Sequence, residues 1–358
     1  MKIGIITFHR AHNYGAVLQC YALQEFLRTQ GHDVSVIDYN NRTLWDGYDW
    51  FRPSEVKECF QNIHKIPKRV VRLLIRCSKR IFRFYKFKRF QENSLNLRAT
   101  SEINTKPYDL ILIGSDQVWN LEITKGFDKY YWGDFTHPTK TLVATYAASL
   151  KKYWSETEVR TALDKIRMLN AVSVREADTE AYITKLDSNI HPIIVPDPVF
   201  LLTKEQWLRN AVVPKIKQPY ILFYQAMDSD EVLKVAKEIA AKQNKRLIIL
   251  SANVLGANSA ISRNASPFDF IGWIKGADLV VTSSFHALAF SIILQKPFYC
   301  VNLNKGHDSR LLDLLNHFGL SDRWINTIND CKPLDEFEPS VDIEEYRNIA
   351  LSYINHIK

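Results

Sequence analysis

His286 stands in the run Thr282-Ser283-Ser284-Phe285-His286-Ala287, where the apolar stretch 279–281 gives way first to hydroxyls and then to a helical pattern. The stretch reads as a buried parallel strand and the hydroxyls as a helix cap. Phe285, Leu288, Ala289, Ile292 and Ile293 recur at helical spacing, Lys296-Pro297 closes the helix, and 298–301 returns as a strand. That spacing predicts a βαβ crossover. It puts an imidazole at the first turn of a helix just past the carboxyl end of a strand, where open α/β sheets bind ligands and free backbone N–H groups favour anions. A lone histidine on such a helix is as readily a packed residue. Ser283 and Ser284 shift the balance, because core packing would ask for no polar cluster there.

Other strand ends repeat the pattern. Residues 2–8 read as a first strand, followed by the polar loop His9-Arg10-Ala11-His12-Asn13-Tyr14-Gly15 and an amphipathic helix ending at Gly31. Residues 108–113 run into Gly114-Ser115-Asp116-Gln117-Val118-Trp119-Asn120, 141–146 into Ala147-Ala148-Ser149, 171–174 into Arg175-Glu176, and 193–195 into Pro196-Asp197-Pro198. Successive strand ends that deliver polar groups are expected where one rim of a parallel sheet lines a cleft. The first turn holds only Gly15, so a Gly-x-Gly-x-x-Gly pyrophosphate cradle has no support.

The elements behind these residues predict an α/β protein of two Rossmann-like, doubly wound domains facing across a cleft. Its 358 residues exceed one ordinary core. The proline-bracketed segment 213–219 marks the boundary, giving domains 1–212 and 213–340 and a last amphipathic helix within 341–358. Five cysteines without a Cys-x-x-Cys pair argue against a disulfide frame or zinc knuckle and fit a reducing cytoplasm. No apolar run has the length of a signal peptide or a membrane span.

The net charge of +8 is local. Between His64 and Phe90 lie eleven Lys or Arg and no acid, and without them the remainder of the chain carries −3. The cations step by three or four, with Val70, Leu74, Cys77, Ile81 and Phe84 between them, in a basic helical insertion at about 56–92. Such a stripe is ordinarily a solvated face. A cationic amphipathic helix also suits anionic lipid headgroups, preferred here over nucleic acid.

Asn13-Tyr14-Gly15-Ala16-Val17-Leu18-Gln19, the 114–120 run, Tyr146-Ala147-Ala148-Ser149, Ser173-Val174-Arg175-Glu176, Asp197-Pro198 and Ser283-Ser284-Phe285-His286-Ala287 occur in one order. Together they closely resemble the polysaccharide pyruvyl transferase family over about residues 1–320. The resemblance implies a glycosyltransferase-B-like fold and transfer of a pyruvyl group from phosphoenolpyruvate to sugar hydroxyls as a cyclic ketal, with no metal or other cofactor. It makes the first domain the acceptor side and the second the donor side.

That reaction needs an acid for the enol carbon and a base for the sugar hydroxyl. His286 is the first candidate for this acid–base work and Asp116 the second, with the assignment between them open and capping of the turn after Ile113 as the competing role of Asp116. Arg175 and Arg310, with Ser283, Ser284 and Lys305, are the candidates for the donor's phosphate and carboxylate. Many family members carry Arg where this chain has Ser284, which moves weight to the two arginines. Their competing roles are ion pairs, Arg175 with Glu176 or a sheet-edge carboxylate and Arg310 with Asp308 or Asp313. His12, Asn13, Tyr14, Gln117 and Trp119 are the acceptor candidates, as aromatic faces and planar amides suited to sugar hydroxyls. The implied setting is capsular or exopolysaccharide synthesis on a polyprenyl-diphosphate-linked saccharide at the inner face of the membrane, which gives the 64–90 stretch a motive. A nucleotide-sugar glycosyltransferase and a non-catalytic membrane-surface scaffold are the alternatives.

Overall fold

The computed structural model describes all residues except 42–43, 45–65, 106, 151–152, 217, 226–228, 252–261, 264, 303–308, 335–341 and 358. The first sheet is wholly parallel, in the order β3 (Leu97–Ala99), β2 (Asp33–Asp38), β1 (Lys2–Ile6), β4 (Leu110–Ile113) and β5 (Leu142–Thr145). A short pair, β6 (Ser173–Val174) and β7 (Ile193–Ile194), continues it through bridges from Ala144 to Ala171 and from Ala148 to Val174. All four side chains of β4 are buried, as an apolar run covered on both faces requires.

The second sheet, also parallel, runs β10 (Ser262–Arg263), β9 (Arg246–Ser251), β8 (Tyr220–Gln225), β11 (Leu279–Thr282), β12 (Phe298–Val301) and β13 (Trp324–Ile325). The architecture is therefore the expected pair of doubly wound, glycosyltransferase-B-like halves. In each sheet the strand order reverses once, between β1 and β4 and between β8 and β11. Ligands of open α/β sheets collect at such reversals, beyond the carboxyl ends of the strands. The loops there are the His9 to Gly15 and Gly114 to Asp116 segments on one side and the Thr282 to His286 turn on the other.

The halves are in direct contact. The helix Tyr14–Thr29 begins with Asn13, whose side chain accepts from the N–H groups of Gly15 and Ala16, a cap worth about 1 kcal/mol. Tyr14 then crosses the junction: its ring stacks on Phe270 at 4.6 Å and its hydroxyl donates to Ala265 O at 3.2 Å. The last helix, Ile343–His356, returns to the first half, with Tyr353 Oη donating to Thr145 O and Arg347 Nε to Leu201 O.

The basic stretch is corrected in part. Its described portion is one helix, Ile66–Ser94, and its last turns are docked rather than solvated. Arg80 and Arg83 are buried; Arg83 lies over the rings of Tyr14 and Phe87 at 5.0 and 4.9 Å and donates to His12 O at 2.5 Å. Lys86 pairs with Asp269 across the junction at 3.0 Å. Arg83 and Lys86 join the helix to the two halves, whereas Lys88, Arg89 and the aromatic rings of Phe82 and Tyr85 remain exposed. Among the described residues no helix is long and apolar enough to cross a membrane.

Candidate active site

The turn between β11 and the helix Phe285–Ile293 forms as its hydroxyls dictate. Thr282 Oγ1 donates to Tyr224 O at 2.7 Å and accepts from the Ser284 N–H at 3.0 Å, so Ser284 becomes the helix cap position. Ser283 is buried with its Oγ unpartnered. His286, on the first turn, is buried against the opposite half of the protein. Gly15 faces it so closely that a Cβ built there would lie 1.9 Å from His286 Nδ1. The other ring nitrogen, Nε2, has no hydrogen bond among the described residues and lies 3.6 Å from Asp197 Oδ2.

Asp197 is the hub. One oxygen, Oδ1, caps the turn Pro198–Leu201 by accepting from the Val199 N–H at 3.1 Å. The other accepts from Arg175 Nη1 at 2.6 Å while facing His286. Burial alone would raise the pKa of this carboxyl, but His286, Arg175 and the Val199 amide outweigh burial and hold it well below the usual carboxylate range.

Arg175 donates further from Nε to Glu176 Oε1 at 2.8 Å and from Nη2 to Ser149 Oγ at 3.2 Å, and its guanidinium lies 4.5 Å above the Phe285 ring. Ser149 Oγ also donates to Glu176 Oε1 at 2.8 Å, leaving Glu176 Oε2 buried and unpartnered. Burial opposes the charge of Arg175, yet Glu176, Asp197 and Asp116 raise its pKa above the ordinary guanidinium value. The ion-pair reading of Arg175 thus holds for Glu176 and Asp197, with two of its five N–H groups still uncommitted.

Arg310 differs. It lies on the helix Ser309–His317, half-buried, and makes no hydrogen bond or ion pair with the described residues, Asp313 included, while Asp308, its other expected partner, lies outside them. Burial and then the Arg175 cation lower its pKa, against the pull of Glu176, Asp116 and Asp197. Arg175 and Arg310 line one hollow of 410 Å³ together with Glu176, Asp197, Phe285 and Tyr346. His286 does not line it and joins it through Asp197. Two guanidinium groups with spare donors suit an anion, and the same hollow also carries the carboxylates of Glu176, Asp197 and Asp313. A larger groove of 620 Å³ along the last helix is lined by Asp342, Glu344 and Glu345 and by no Lys or Arg, the wrong sign for that task.

Asp116 sits half-buried at φ +74 after β4, its Oδ1 accepting from the Gln117 N–H at 2.9 Å. It therefore caps its own turn, as the competing reading held, while its charge reaches both Arg175 and Arg310. Gln117 remains on the surface side, accepting from Asn120 through Oε1. Lys305 lies outside the described residues.

Three acceptor candidates are corrected by burial. Trp119 is fully buried and stacked on Trp132 at 5.5 Å. Tyr14 is fully buried at the junction, and His12 is stacked on Phe87 at 5.0 Å. Burial, with Arg83 adding to it, drives the His12 pKa down to about 3, so this ring is a neutral packing element. None of the three offers a face to a sugar. Asn13 is committed to capping the first helix.

Residues missed as site members are Asp197, Glu176 and Ser149. Their signal was the position of each at a strand end, in Asp197-Pro198, Arg175-Glu176 and Ala148-Ser149. Among the described residues no group of three His, Cys, Asp or Glu side chains converges to hold a metal ion.

The chain is similar to a UDP-GlcNAc 2-epimerase from Methanocaldococcus jannaschii (13% identity, 99% of this chain and 100% of that one, TM-score 0.49) and to the E. coli heptosyltransferase WaaC with ADP (13%, 100% and 100%, 0.37). A third is the glycosyltransferase SnogD from Streptomyces nogalater (11%, 100% and 94%, 0.38). At these scores the fold reading rests on the strand orders themselves. No curated protein sequence matches. A family profile described as polysaccharide pyruvyl transferase matches residues 13–305, which takes in every strand-end motif from Asn13 to His286, and the chain belongs to that family.

Proposed function

We propose that this transferase moves a pyruvyl group from phosphoenolpyruvate onto two hydroxyls of one sugar, forming a cyclic ketal. The observation that carries the reading is Arg310, a guanidinium with no ion pair to the described residues, in the same 410 Å³ hollow as Arg175. Phosphoenolpyruvate brings a phosphate and a carboxylate, which match two planar fork donors. In the proposed sequence the donor's methylene carbon takes a proton and becomes methyl while the first sugar oxygen bonds to the neighbouring carbon. The second oxygen then displaces phosphate, and both hydroxyl protons leave to bases. His286 is the acid we assign to the carbon, and Asp116, whose charge reaches both arginines, the base. No cofactor enters the scheme.

Replacing Arg310 with alanine should raise the phosphoenolpyruvate KM roughly 10- to 100-fold, the worth of one charge-assisted contact, in an assay of labelled pyruvyl transfer to saccharide. His286→Gln should abolish transfer with an unchanged melting temperature. Wild-type kinetics in either variant would remove that residue from the scheme.

We further propose that the acceptor is a polyprenyl-diphosphate-linked saccharide of capsule or exopolysaccharide synthesis, met at the cytoplasmic face of the membrane. Support comes from Lys88, Arg89, Phe82 and Tyr85, exposed together on one helix: the cations suit anionic headgroups and the rings suit the interface. Sedimentation with phosphatidylglycerol vesicles should be salt-sensitive and weakened by Lys88→Glu with Arg89→Glu. Equal sedimentation of wild type and double variant would end the idea.

A further inference from the structure

With Trp119 and Tyr14 inside the protein, the acceptor still needs a surface, and one stands close to the hollow. Tyr153 is 59% exposed, and one face of its ring lies on Tyr182 at 4.1 Å with 20° between the planes. Among the described residues no second ring stacks on its other face. Its backing is rigid: Tyr182 packs on Trp154 at 5.6 Å and donates its hydroxyl to Trp154 O at 3.3 Å, while Trp154 is buried against Trp132 at 5.7 Å. A column of rings thus runs from the core to the surface and ends in an exposed aromatic residue.

Its position ties it to the anion site. Tyr153 follows Ser149, which bonds both Arg175 and Glu176, by four residues. Tyr182 lies on the helix Ala177–Leu186, capped by Glu176, about 9 Å of helix beyond that residue. A fixed aromatic plane presents a large contact area at little entropic cost, and its negatively polarised face suits the C–H bonds on one side of a pyranose ring.

We propose that Tyr153, backed by Tyr182, is a saccharide subsite for the acceptor, seating a sugar unit one or more residues away from the ring that reacts at the hollow. This rests on the pyruvyl transfer reading for the identity of the acceptor. The ligand class is an oligosaccharide longer than a disaccharide.

The test uses the full-length protein with defined gluco-, galacto- and manno-oligosaccharides of two and four rings. Saturation-transfer NMR reads binding without turnover, and labelled phosphoenolpyruvate reads transfer. For at least one tetrasaccharide the wild type should give a saturation signal that falls at least threefold in Tyr153→Ala and persists in Tyr153→Phe, with melting temperatures unchanged. Any disaccharide that is pyruvylated should be so equally by all three proteins. No signal from any tetrasaccharide, or signals unchanged in Tyr153→Ala, overturns the subsite. A Tyr153-dependent signal without pyruvyl transfer to any saccharide keeps the subsite and overturns the reaction instead.

Discussion

Asp197→Asn is expected to lower stability at neutral pH by about 3 kcal/mol, the usual loss when one partner of a buried ion pair is removed, and to cut pyruvyl transfer by at least 100-fold. The carboxylate is 2% exposed and stands between Arg175 at 2.6 Å and His286 at 3.6 Å. Asparagine preserves the shape and can still cap the Val199 amide, so what the change removes is charge. Glu176 remains beside Arg175, which limits the loss to a few kcal/mol. The ring of His286 loses the only carboxylate within 4 Å among the described residues.

The acid limb supplies an independent readout. Because the folded-state pKa of Asp197 is depressed, its stabilisation is complete above the ordinary carboxylate value of about 4 and is lost as pH falls below that toward the folded value. Wild type and variant should therefore differ most at pH 7 and converge as pH falls below about 4. Thermal melts at several pH values check this. A constant difference at every pH would mean that the aspartate's charge is not what stabilises the junction, and transfer within tenfold of wild type would take it out of the site.

How much of this was legible beforehand depended on what each residue's signal encodes. Period and run length identify strands and helices, so the apolar 110–113 and 279–281 runs declared buried parallel strands, and the hydroxyls after Val281 declared a cap. Position at a strand end marked Arg175 and Asp116 as members of one rim and His286 as a member of the rim that faces it. The sequence carries no comparable signal for the direction in which a side chain points. An aromatic residue in a rim loop reads the same whether it stacks inside, as Trp119 does, or faces solvent, as Tyr153 does. The basic helix misled for the same reason. A cation every third or fourth residue reads as a solvated stripe, but tertiary docking set Arg83 over two rings and gave it a carbonyl to bond. Asp197 stood out only as a polar residue at a strand end; that its second oxygen meets Arg175 follows from pairing β7 with β6, and that it faces His286 from docking of the two halves, contacts that no local pattern specifies.

Gly15→Ala is the second large effect expected, and on helix propensity alone its sign would be opposite. Alanine within a helix is favoured over glycine by about 1 kcal/mol, and Gly15 has no left-handed backbone that would oppose the change. Space decides otherwise. The new methyl would fall 1.9 Å from Nδ1, 2.2 Å from Cγ and 2.6 Å from Cε1 of His286, so either the ring must leave its place or the two halves must move apart. Overpacking of this kind costs about 1–3 kcal/mol, and a misplacement of about 1 Å at a reacting group costs on the order of 100-fold in rate. The variant should therefore be less stable than wild type and transfer at least 100-fold more slowly, with phosphoenolpyruvate binding nearly intact because Arg175 and Arg310 are untouched. The cause is tested by a double-mutant cycle. In a His286→Ala background the methyl meets no ring, so Gly15→Ala should there be neutral or stabilising by up to about 1 kcal/mol. Destabilisation of equal size in both backgrounds would show that Gly15 is needed by the helix itself, and wild-type transfer by the single variant would show that His286 can act from elsewhere.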